Sequence, residues 1–565
     1  MMKRLAAWGL TIIIIVILAI TIIYTLLQTR WGAVSLSRWV NNTTPYHITI
    51  DKIEHRWSSP GNLTLRNVSL GAKGKPTILT TQRVDIELGL SQLFSPFHTT
   101  MLTLSNGTLT VAAATPSFPV RADVLKLKNV DIHRADDSWP IEAIQISGDI
   151  RHWHPNARQL PGSSAQFQLR AQSVTLKGVT SKEVQLQGET HDGILTISSL
   201  HAQVARGALN LSAQRYQDGS WQIQQFALQG LRAQSNAPLN SLLQSLSTLP
   251  NLTLQRLIIE DATLEGKNWA TTGLHIRANN LIHDEKGWHS TNGALNLHAG
   301  NLLYGSLQLN APRLSARFSS DGVKIQESAA QWERGEVRVS GEWQRATRAL
   351  ALDTLSISDT EYTLPSAWRA QLSTPLPAWL NTLSIKNLTL NRNLLIDITP
   401  DFPFQLTGLS GEGQGIELVR NGRWRFDAEH LRLNALAATF NRTDLNHPML
   451  ELQTRDALIT GNAQASLPDA GTLKASVEAA SISPLAFTLR LHGERVPLNM
   501  LDNWGWRSAF SGQGNLELKL QGNLAHPPLR HTLNGELRAQ RQDGHSETQR
   551  LVNGEMAPAP ALHAQ

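Results

Sequence analysis

Two histidines separated by a single tryptophan, His152 and His154, have the spacing of a metal-binding pair. Alternate residues of a β-strand face the same side, so both imidazoles would share one face of an extended segment. No third histidine is near them in sequence. The nearest carboxylate, Asp149, is an odd number of residues from His154 and would face the opposite side. We interpret the pair as a polar strand end and predict no metal site here.

Three further groups of residues have a functional interpretation, but a structural one explains each of them more simply. The segment containing His133, Asp136 and Asp137 has the composition of a polar loop, and residues 283–289 (HDEKGWH) have that of a charged hairpin tip. The G-x-G-x-G run at residues 411–415 lacks the strand–turn–helix context of a dinucleotide-binding motif. A flexible or closely packed strand is the simpler interpretation of that run.

Sequence signatures of catalysis are absent. The chain contains no H-E-x-x-H, no G-x-S-x-G and no P-loop, and it has no cysteine to act as a nucleophile or thiolate ligand. We therefore predict that the protein is not an enzyme and has no catalytic, cofactor-binding or metal-binding residues. An envelope hydrolase whose site assembles from residues distant in sequence is the alternative.

The composition indicates a folded protein of an oxidising compartment. The chain has 565 residues and no cysteine, which suits export, although many bacterial cytosolic proteins also lack cysteine. There are 51 Lys and Arg against 45 Asp and Glu, for a net charge of +6, and the two signs are interspersed along the chain. A nucleic-acid-binding protein would cluster its positive charge. We expect no nucleic-acid partner, and a weak attraction to anionic lipid headgroups remains open.

The N-terminal residues 5–27 are almost wholly apolar and carry no charge. As a helix this segment would be about 34 Å long, enough to cross a hydrocarbon core of about 30 Å. It ends in LQTRW without the small residues of a cleavage site, so we predict a membrane anchor rather than a cleaved signal peptide. Lys3 and Arg4 precede it and Arg30 follows it, which favours cytoplasmic residues 1–4.

No later stretch resembles a membrane span, so the rest of the chain is expected on the far side of the membrane. In a Gram-negative cell that side is the periplasm, and the protein would be a single-pass protein of the inner membrane. Aromatic side chains are favoured at membrane–water interfaces. Those expected near the two interfaces are Trp8, Tyr24 and Trp31.

The body of the chain alternates between apolar and polar residues, as half-buried β-strands do. Residues 337–341 (VRVSG) and 516–520 (LELKL) are examples. Asn-Gly and Asp-Gly pairs separate such runs, and these pairs suit two-residue hairpins because both turn residues need positive φ. The pairs begin at Asn106, Asp192, Asp218, Asn292, Asp321 and Asn421. Residues 102–111 (LTLSNGTLTV) give the clearest prediction of a hairpin.

Helical patterns are few. Residues 30–40 are predicted to continue the membrane helix. Leucines with helical spacing lie between Pro238 and Pro250, and we interpret this short amphipathic helix as a connector over a sheet end rather than a membrane-surface helix. Residues 366–372 and 497–504 are further candidates. From residue 539 the chain is polar and then rich in Ala and Pro, so 539–565 is predicted to be a disordered tail.

These patterns predict a mainly β protein: a single N-terminal transmembrane helix followed by an elongated, twisted antiparallel β-groove with a few short helices. Nothing helical recurs between strands, so meanders are expected rather than βαβ units. A long sheet stacked from similar units fits the length. Its apolar face would form the groove. The candidate groove-lining residues are Leu102, Leu104, Leu109, Val111, Leu209, Leu211, Val337, Val339, Leu516, Leu518 and Leu520.

Tryptophans in or beside the strand-like runs have two interpretations. They either contact acyl chains in a groove, or they cap sheet ends and pack in cores with the indole N–H bonded to a loop. Core packing and capping are the more common roles for tryptophan. The residues concerned are Trp221, Trp332, Trp343, Trp424, Trp504 and Trp506.

Several motifs follow one another in a characteristic order along the chain. The apolar segment is followed by QTRWGA at 28–33, by VDIEL at 84–88 and SQLF at 91–94, and then by the 102–111 segment. This series resembles the chorein-like N-terminal element of the AsmA family of Gram-negative inner-membrane proteins. Further likenesses lie at residues 205–211 (ARGALNL), 361–365 (EYTLP), 392–398 (RNLLIDI) and 401–403 (DFP).

The resemblance implies a juxtamembrane helix and chorein-like element over residues 28–110, and a periplasmic repeating β-groove over 111–538. It also implies a function in envelope biogenesis. Larger relatives are thought to carry phospholipid between the two membranes along an apolar channel, and smaller ones are linked to outer-membrane protein assembly. The expected partners are the inner-membrane bilayer, phospholipid cargo and other envelope proteins. A non-enzymatic factor for outer-membrane protein targeting or assembly is the alternative function.

Overall fold

The computed structural model shows a protein made mostly of β-strands, as predicted. Thirty-six strands and a few short helices lie within the described part of the chain. The described residues are 15, 18, 21, 22, 25, 28–56, 58–59, 61–74, 76–89, 98–111, 120–134, 140–155, 162–371, 374–400, 403–481, 486–504, 506, 512–524 and 529–557.

Most of the predicted membrane span, residues 5–27, lies outside the described residues. Five of its positions are described, and all five are helical. Among the described residues, no helix has the length and apolar character needed to cross a bilayer.

The first fully described helix, α1 (Arg30–Thr43), starts separately from the helical residues that precede it. Thr29 has extended backbone angles, with φ −82° and ψ 166°, and occupies the N-cap position of α1. An extended residue cannot carry helical hydrogen bonds through itself. The prediction that residues 30–40 continue the membrane helix is therefore wrong: a helix is present, but a backbone break precedes it.

The chain forms two compact units. Unit 1 comprises Met1–Lys267 and Ala278–Trp288. Unit 2 comprises Asn268–Arg277 and His289–Gln565, so strand β15 (Trp269–Asp284) contributes residues to both units.

The first of the two units holds α1, the helix α2 (Leu239–Ser247) and the first fourteen strands. The strands are β1 (Tyr46–Thr49), β2 (Lys52–His55), β3 (Asn62–Ala72), β4 (Thr77–Glu87), β5 (His98–Val111), β6 (Arg121–Arg134), β7 (Ile141–Trp153), β8 (Ser164–Leu176), β9 (Val179–His191), β10 (Ile194–Val204), β11 (Gly207–Arg215), β12 (Trp221–Gln229), β13 (Arg232–Pro238) and β14 (Leu252–Lys267).

The next strands are β15 (Trp269–Asp284), β16 (Gly287–His289), β17 (Gly293–His298), β18 (Asn301–Tyr304), β19 (Leu307–Phe318), β20 (Gly322–Trp332), β21 (Gly335–Gln344), β22 (Ala349–Ser358), β23 (Glu361–Thr363), β24 (Thr382–Asp397) and β25 (Phe404–Arg420). The helix α3 (Trp368–Gln371) lies between β23 and β24.

The last strands are β26 (Arg423–Asp427), β27 (His430–Asn434), β28 (Ala437–Phe440), β29 (Thr443–Arg455), β30 (Leu458–Ser466), β31 (Thr472–Ala480), β32 (Ala486–Pro497), β33 (Gln513–Asn523), β34 (Asn534–Arg541), β35 (Ser546–Val552) and β36 (Glu555–Met556). The helix α4 (Met500–Asn503) and a 3₁₀ turn (Leu529–Thr532) lie among them. The short helices predicted at 366–372 and 497–504 are thus confirmed in part of each range.

Most neighbouring strands are antiparallel, but five of the pairs that the structure describes are parallel. In unit 1, β5 pairs with β6, and both β12 and β13 pair with β14. In unit 2, β22 and β23 pair with β24. The prediction of an antiparallel sheet of meanders without βαβ units is wrong at these pairs. In two places a short helix, α2 or α3, connects the parallel strands, because a parallel return needs a crossover.

The connector helix α2 forms where the leucine spacing predicts it, between β13 and β14. None of its residues is buried, and Leu243 is 54% exposed. The expectation that its leucines cover a sheet end is therefore not met. Its C-terminal end is held instead by Trp288, whose indole Nε1 donates to the Leu246 carbonyl at 3.1 Å.

Two of the predicted two-residue turns are confirmed. Asp192-Gly193 joins β9 to β10 and Asn421-Gly422 joins β25 to β26, and all four residues have positive φ. Asn106-Gly107 is different, because it lies inside the continuous strand β5. Asn106 has φ 52° there, and the pairing with β4 skips one residue on each strand between Ser105 and Gly107. The predicted hairpin at residues 102–111 is thus wrong, and the pair bends a single strand.

The predicted disordered tail is also wrong over most of its length. Residues from Ala539 onward complete β34, and β35 pairs with β34 from Ser546 to Leu551. Apolar residues explain this ordering: Leu537 is 2% exposed and Ala539 is 3% exposed. Residues 558–565 lie outside the described residues.

Each unit has its own buried core. The core of unit 1 lies between α1 and strands β2–β8, and Ala33 and Val130 are fully buried in it. Unit 2 has one cluster around β22–β27 that contains Ile385 and Ile416. A second cluster of unit 2 packs β29–β34 against α4.

Candidate functional site

An apolar cavity of about 630 Å³ lies in unit 2, among strands β25–β35. Leucines from many strands line it, together with Phe440, Met449 and several alanines. This volume falls within the range of roughly 300–1,000 Å³ that is typical of small-molecule sites. The cavity is the clearest described place where the protein could hold a ligand.

Period-two alternation directs the leucines of neighbouring strands into this cavity. In β33 the even-numbered residues point inward and the odd-numbered ones are exposed, as the alternating burial shows. Leu518 lies opposite Leu491 of β32, and Leu520 lies opposite Leu489. All four residues line the cavity. Because directly opposed residues of antiparallel strands have close Cβ atoms, these pairs form successive layers of its wall.

Small side chains leave room for the cavity on the neighbouring strands. Ala463 and Ala465 of β30 and Ala475 of β31 line it. Ala463 is directly opposite Ala475 in the register. Two alanines in register remove several methylene groups from the wall where leucines would otherwise meet. The cavity therefore follows from an alternation of large and small apolar residues.

The helix α4 brings polar groups to the cavity. Met500 and Leu501 anchor it by burial, at 4% and 0% exposure, and this places Asp502 and Asn503 in the lining. The amide of Asn503 donates from Nδ2 to the Arg442 carbonyl at 3.3 Å. On another part of the wall, Arg530 donates from Nε to the Gly554 carbonyl at 3.4 Å.

The indoles of Trp504 and Trp506 also line the cavity. Trp506 is only 3% exposed. The Trp504 Nε1 atom is buried and has no hydrogen-bond partner among the described residues. A buried donor without an acceptor costs about 1–3 kcal/mol, so an acceptor oxygen on a ligand would be favoured there if it could reach the group.

Chemically, the arrangement suits binding rather than covalent change. The wall is apolar, with a few polar side chains at Asn434, Asn441, Gln464, Asp502, Asn503 and Arg530. Such a surface can bury a hydrocarbon chain and leave a polar end against amide and charged groups. Neither this wall nor any other described part of the chain holds a group of three His, Asp or Glu side chains placed to bind a metal ion.

The groove residues predicted from sequence do not lie together in the structure. Leu518 and Leu520 line the cavity, and Leu516, 1% exposed, is in the adjoining core. Leu102, Leu104 and Leu109 are in the core of unit 1, at 6–8% exposure. The backbone of Val111 ends β5, and its side chain is outside the description.

The other four predicted residues are half-buried strand residues outside the cavity. Leu209 and Leu211 alternate along β11 in unit 1, and Val337 and Val339 along β21 in unit 2. Val339 packs against the buried cluster around Ile385. Each pair therefore adds to an apolar strand face of its own unit.

Sequence reasoning missed most of the cavity wall. The residues that it did not single out include Leu406, Phe440, Leu445, Leu473, Leu489 and Leu491. The alternation L-R-L at residues 489–491 was a usable signal, since it matches the pattern that identified β33. That alternation does not predict which strands pair, nor which small residues leave room for the cavity.

The tryptophans divide between the two interpretations. Trp504 and Trp506 line the cavity, whereas the Trp343 indole donates from Nε1 to the Trp379 carbonyl at 3.2 Å, as a capping tryptophan would. Trp332 packs on Tyr362 with ring centroids 4.7 Å apart.

The histidine pair at 152–154 is placed differently from the sequence interpretation. His152 has φ 53°, which interrupts the alternation of the strand end. His154 faces His98, with ring centroids 5.8 Å apart, and His98 Nε2 lies 2.8 Å from the Asp123 carboxylate. Burial, with the nearby charge of Arg121, lowers the pKa of His154. The third histidine is close in space although it is distant in sequence.

Of the other three groups singled out in the sequence, the one with Asp136 and Asp137 lies outside the described residues beyond His133, which is in β6. The remaining two have structural roles. Residues 283–289 comprise the end of β15, a short turn and β16, and the Lys286 N–H donates to Asp284 Oδ1 at 2.8 Å. The glycines at 411–415 lie inside β25. A Cβ on Gly411 would be 2.3 Å from the Arg432 carbonyl oxygen, so this is a closely packed strand.

Comparison with known proteins adds independent evidence. No family model matches the chain, and no solved structure matches it. Among curated proteins, the chain is 36% identical to the AsmA family protein YicH of Escherichia coli (strain K12) over 540 residues. That alignment covers 95% of this chain and 95% of its relative. Similarity of this extent, over nearly all of both chains, shows that the protein belongs to the AsmA family.

Proposed function

We propose that the protein is a non-enzymatic lipid-handling protein of the Gram-negative cell envelope that binds or conducts phospholipids on apolar β-sheet surfaces. The observation that carries this proposal is the apolar cavity of unit 2, with leucines opposed in register across β32 and β33. Membership of the AsmA family supports a function in the envelope.

The physical basis is the transfer of acyl chains from water to an apolar wall. Each buried CH₂ contributes about 0.8 kcal/mol, so a single chain gains enough to stay shielded while its headgroup remains wet. The polar residues of the lining, such as Asn503 and Arg530, are suited to contact that headgroup. Half-buried apolar strand faces, on β11 in unit 1 and on β21 in unit 2, are further candidates for contact with lipid.

The proposal places the protein in the inner membrane. The uncharged residues 5–27 would span the bilayer, with residues 1–4 in the cytoplasm and the β units in the periplasm. The helical conformation of the described positions supports this, and Ile15, Leu18 and Ile22 are each at least half exposed. An alkaline phosphatase fused after residue 60 should be active, and an inactive fusion would contradict this topology.

Mass spectrometry of the purified full-length protein tests the cavity directly. We expect co-purifying phospholipid, and we expect Ala465→Phe, which fills the cavity wall, to reduce its amount at least threefold. The matched control is Ala486→Phe, at an exposed position of β32 that is outside the cavity lining. Equal lipid in both variants, or none in the parent protein, would contradict the proposal.

An assembly factor for outer-membrane proteins is the second candidate function. One feature favours it: among the described residues, strand β35 pairs along its length with β34 but with only two residues of β36 on its other side. Sheet edges of this kind can accept a strand from another protein. A deletion that alters outer-membrane protein levels while leaving lipid composition and permeability unchanged would favour this function.

A further inference from the structure

The helix α1 buries one face and exposes the other. Its buried residues are small: Gly32, Ala33 and Ser37. Ala33 is completely inaccessible and belongs to the core of unit 1. This face is therefore fixed against the protein, and the opposite face cannot also serve as core.

The exposed part of the helix carries two indoles. Trp31 is 65% exposed and Trp39 is 58% exposed. They are eight residues apart, which corresponds to about 12 Å along the axis and about 80° around it. Arg38, also exposed, lies about 20° from Trp31 on the same helical projection. The three side chains thus form an exposed band about 100° wide, with Trp39 at the edge that adjoins the buried Gly32.

The charge of this helix has a single sign. Arg30 and Arg38 are its only charged residues, and it contains no acidic residue. The contact of Arg30 with Asp51, at 3.9 Å between highly exposed groups, is long and contributes little. A surface with this charge complements an anionic one.

The apolar segment that precedes α1 indicates that the anionic surface is that of a lipid bilayer. The uncharged apolar segment 5–27 ends just before α1, with two residues between them. Its described residues Ile15, Leu18 and Ile22 are helical and 50–59% exposed. Thr29 has extended backbone angles, so α1 is a separate helix and does not continue the preceding one. A helix that leaves an apolar segment at a break has its first turns at the level of the lipid headgroups.

We propose that α1 lies along the periplasmic surface of the bilayer, with Trp31 and Trp39 in the headgroup layer and Arg38 against anionic lipid. Indole rings favour this layer, since they place an apolar body and a polar N–H at the same depth. The helix then has a specific function: it holds unit 1 against the membrane through a second contact besides the span. This inference rests on the proposed membrane location.

The absence of native cysteine allows a direct test. Single cysteines are introduced by Trp31→Cys, Trp39→Cys and Ile15→Cys into the full-length chain. Trp379→Cys is the matched control, because Trp379 is 53% exposed and lies in unit 2. Each variant is labelled with an environment-sensitive fluorophore and reconstituted in nanodiscs of phosphatidylcholine and phosphatidylglycerol. Quenching by headgroup-level and acyl-level spin-labelled lipids is measured.

We expect the headgroup-level quencher to reduce emission at positions 31 and 39 at least twofold more than at 379. Position 15 should respond to the acyl-level quencher. Quenching at 15 without quenching at 39 would overturn the helix inference and leave the anchor intact. Quenching at neither would overturn both. Shielding of position 39 from lipid and aqueous quenchers alike would mean that protein covers this face, and would also overturn it.

The basic residue has its own test. With the label at position 39, Arg38→Gln should weaken headgroup quenching in discs containing phosphatidylglycerol, and it should have little effect in discs of phosphatidylcholine alone. High salt should reproduce the loss, because it screens the attraction to anionic lipid. An equal effect of Arg38→Gln in both kinds of disc would contradict the electrostatic contact.

Discussion

Single residues with positive φ shape the strands of unit 1 from within. Asn67, Asn106 and Asn129 have φ near 50° and sit inside β3, β5 and β6. The register brings Asn106 level with Asn129, and their side chains are joined by a 2.8 Å hydrogen bond. Asparagine tolerates the left-handed region better than most residues, so it can bend a strand without ending it. The Asn-Gly pair of β5 is best understood as such a bend.

Gly107 makes this bend sterically possible. A Cβ there would lie 2.5 Å from the Thr80 carbonyl oxygen and 2.8 Å from the Thr81 Cβ. We expect Gly107→Ala to lower the free energy of unfolding of unit 1 by about 1–3 kcal/mol, as overpacking does. Hydrogen exchange of β4 and β5 would measure it. The control is Gly71→Ala, where the nearest atom is 3.3 Å away. An equal effect of both substitutions would contradict the steric explanation.

The lowered pKa of His154 predicts that acid reduces the stability of unit 1. Burial lowers its pKa in the folded protein, whereas the unfolded chain binds a proton near the ordinary value of about 6.5. Below that pH the unfolded state binds more protons, so stability is complete above about 6.5 and falls as the pH decreases. We therefore expect hydrogen exchange to show a smaller free energy of local opening of β5–β7 at pH 5.5 than at pH 7.5. This decrease should be smaller in the His154→Gln variant than in the parent protein.

The control for this prediction is His47→Gln, at an exposed position of the same unit. His98, His152, Asp123 and Arg121 also act on His154, so the comparison must keep them unchanged. If His47→Gln reduced the pH dependence as much as His154→Gln, burial of His154 would not be its cause.

At the scale of elements, one arrangement recurs in both units. Each has a strand that bends, a short helix, and a return strand parallel to the first: β12–β13–α2–β14 and β22–β23–α3–β24. The left-handed residues of the return strands, Asp261 and Arg392, are about 131 residues apart. Equivalent backbone bonds of 2.8 Å join Thr263 N to Leu231 O and Leu394 N to Thr360 O.

A buried side chain stabilises this arrangement in unit 2. Asn393 is 5% exposed, accepts from the Thr360 N–H at 3.0 Å and donates to the Ile357 carbonyl at 3.0 Å. The corresponding residue of unit 1 is the fully buried Ala262, so only one copy uses an amide. We interpret the two arrangements as repeats of one structural module that have diverged at this position.

We expect Asn393→Ala to destabilise unit 2 by about 1–3 kcal/mol, because it leaves a buried N–H and carbonyl without their side-chain partner. Hydrogen exchange of β22–β24 would report the change. Asn387→Ala is the control on the same strand, since the Asn387 amide donates to the Asp353 carbonyl at an exposed position. It should change stability by no more than about 0.5 kcal/mol. Equal effects would show that burial of Asn393 is unimportant.

At the scale of the whole molecule, two units with separate cores belong to one chain of the AsmA family. The apolar cavity is in unit 2, and unit 1 has a polar concavity lined by Asn67, Gln82, Asn106 and Gln145. Half-buried apolar strand faces occur in each. Proposed lipid handling therefore involves both units only if those faces contact lipid as well.

Photo-crosslinking can show separately for each unit whether its apolar strand face contacts lipid. A benzoylphenylalanine at Leu209 or Leu211 of β11, or at Val337 or Val339 of β21, should crosslink to phospholipid in cells. The controls are the neighbouring positions Asn210 and Arg338, whose side chains point to the other face of the same strands. We expect at least fivefold more lipid adduct at the apolar positions. Equal adducts on both faces would show non-specific membrane contact.

Local patterns were sufficient for the mainly β architecture. Alternation along β21 and β33 identifies strands because the two-residue period is a property of each segment alone. The turns at Asp192 and Asn421 and the helix α2 were also readable, since turn chemistry and leucine spacing act over a few residues. The ordered motifs were sufficient for the family. The apolar N-terminal segment predicts a membrane span in the same local way.

Only the tertiary structure decided which of these segments meet. Asn106-Gly107 has hairpin chemistry, yet it bends a strand because Thr80 and Thr81 lie across from it. The parallel returns depend on partners some thirty residues away, and residues 539–557 are ordered because β33 offers them an edge. The cavity needs residues spread from Pro400 to Gly554. Contacts over such separations leave no local period, so the sequence determined the strands and their faces, and tertiary pairing determined the cavity that they enclose.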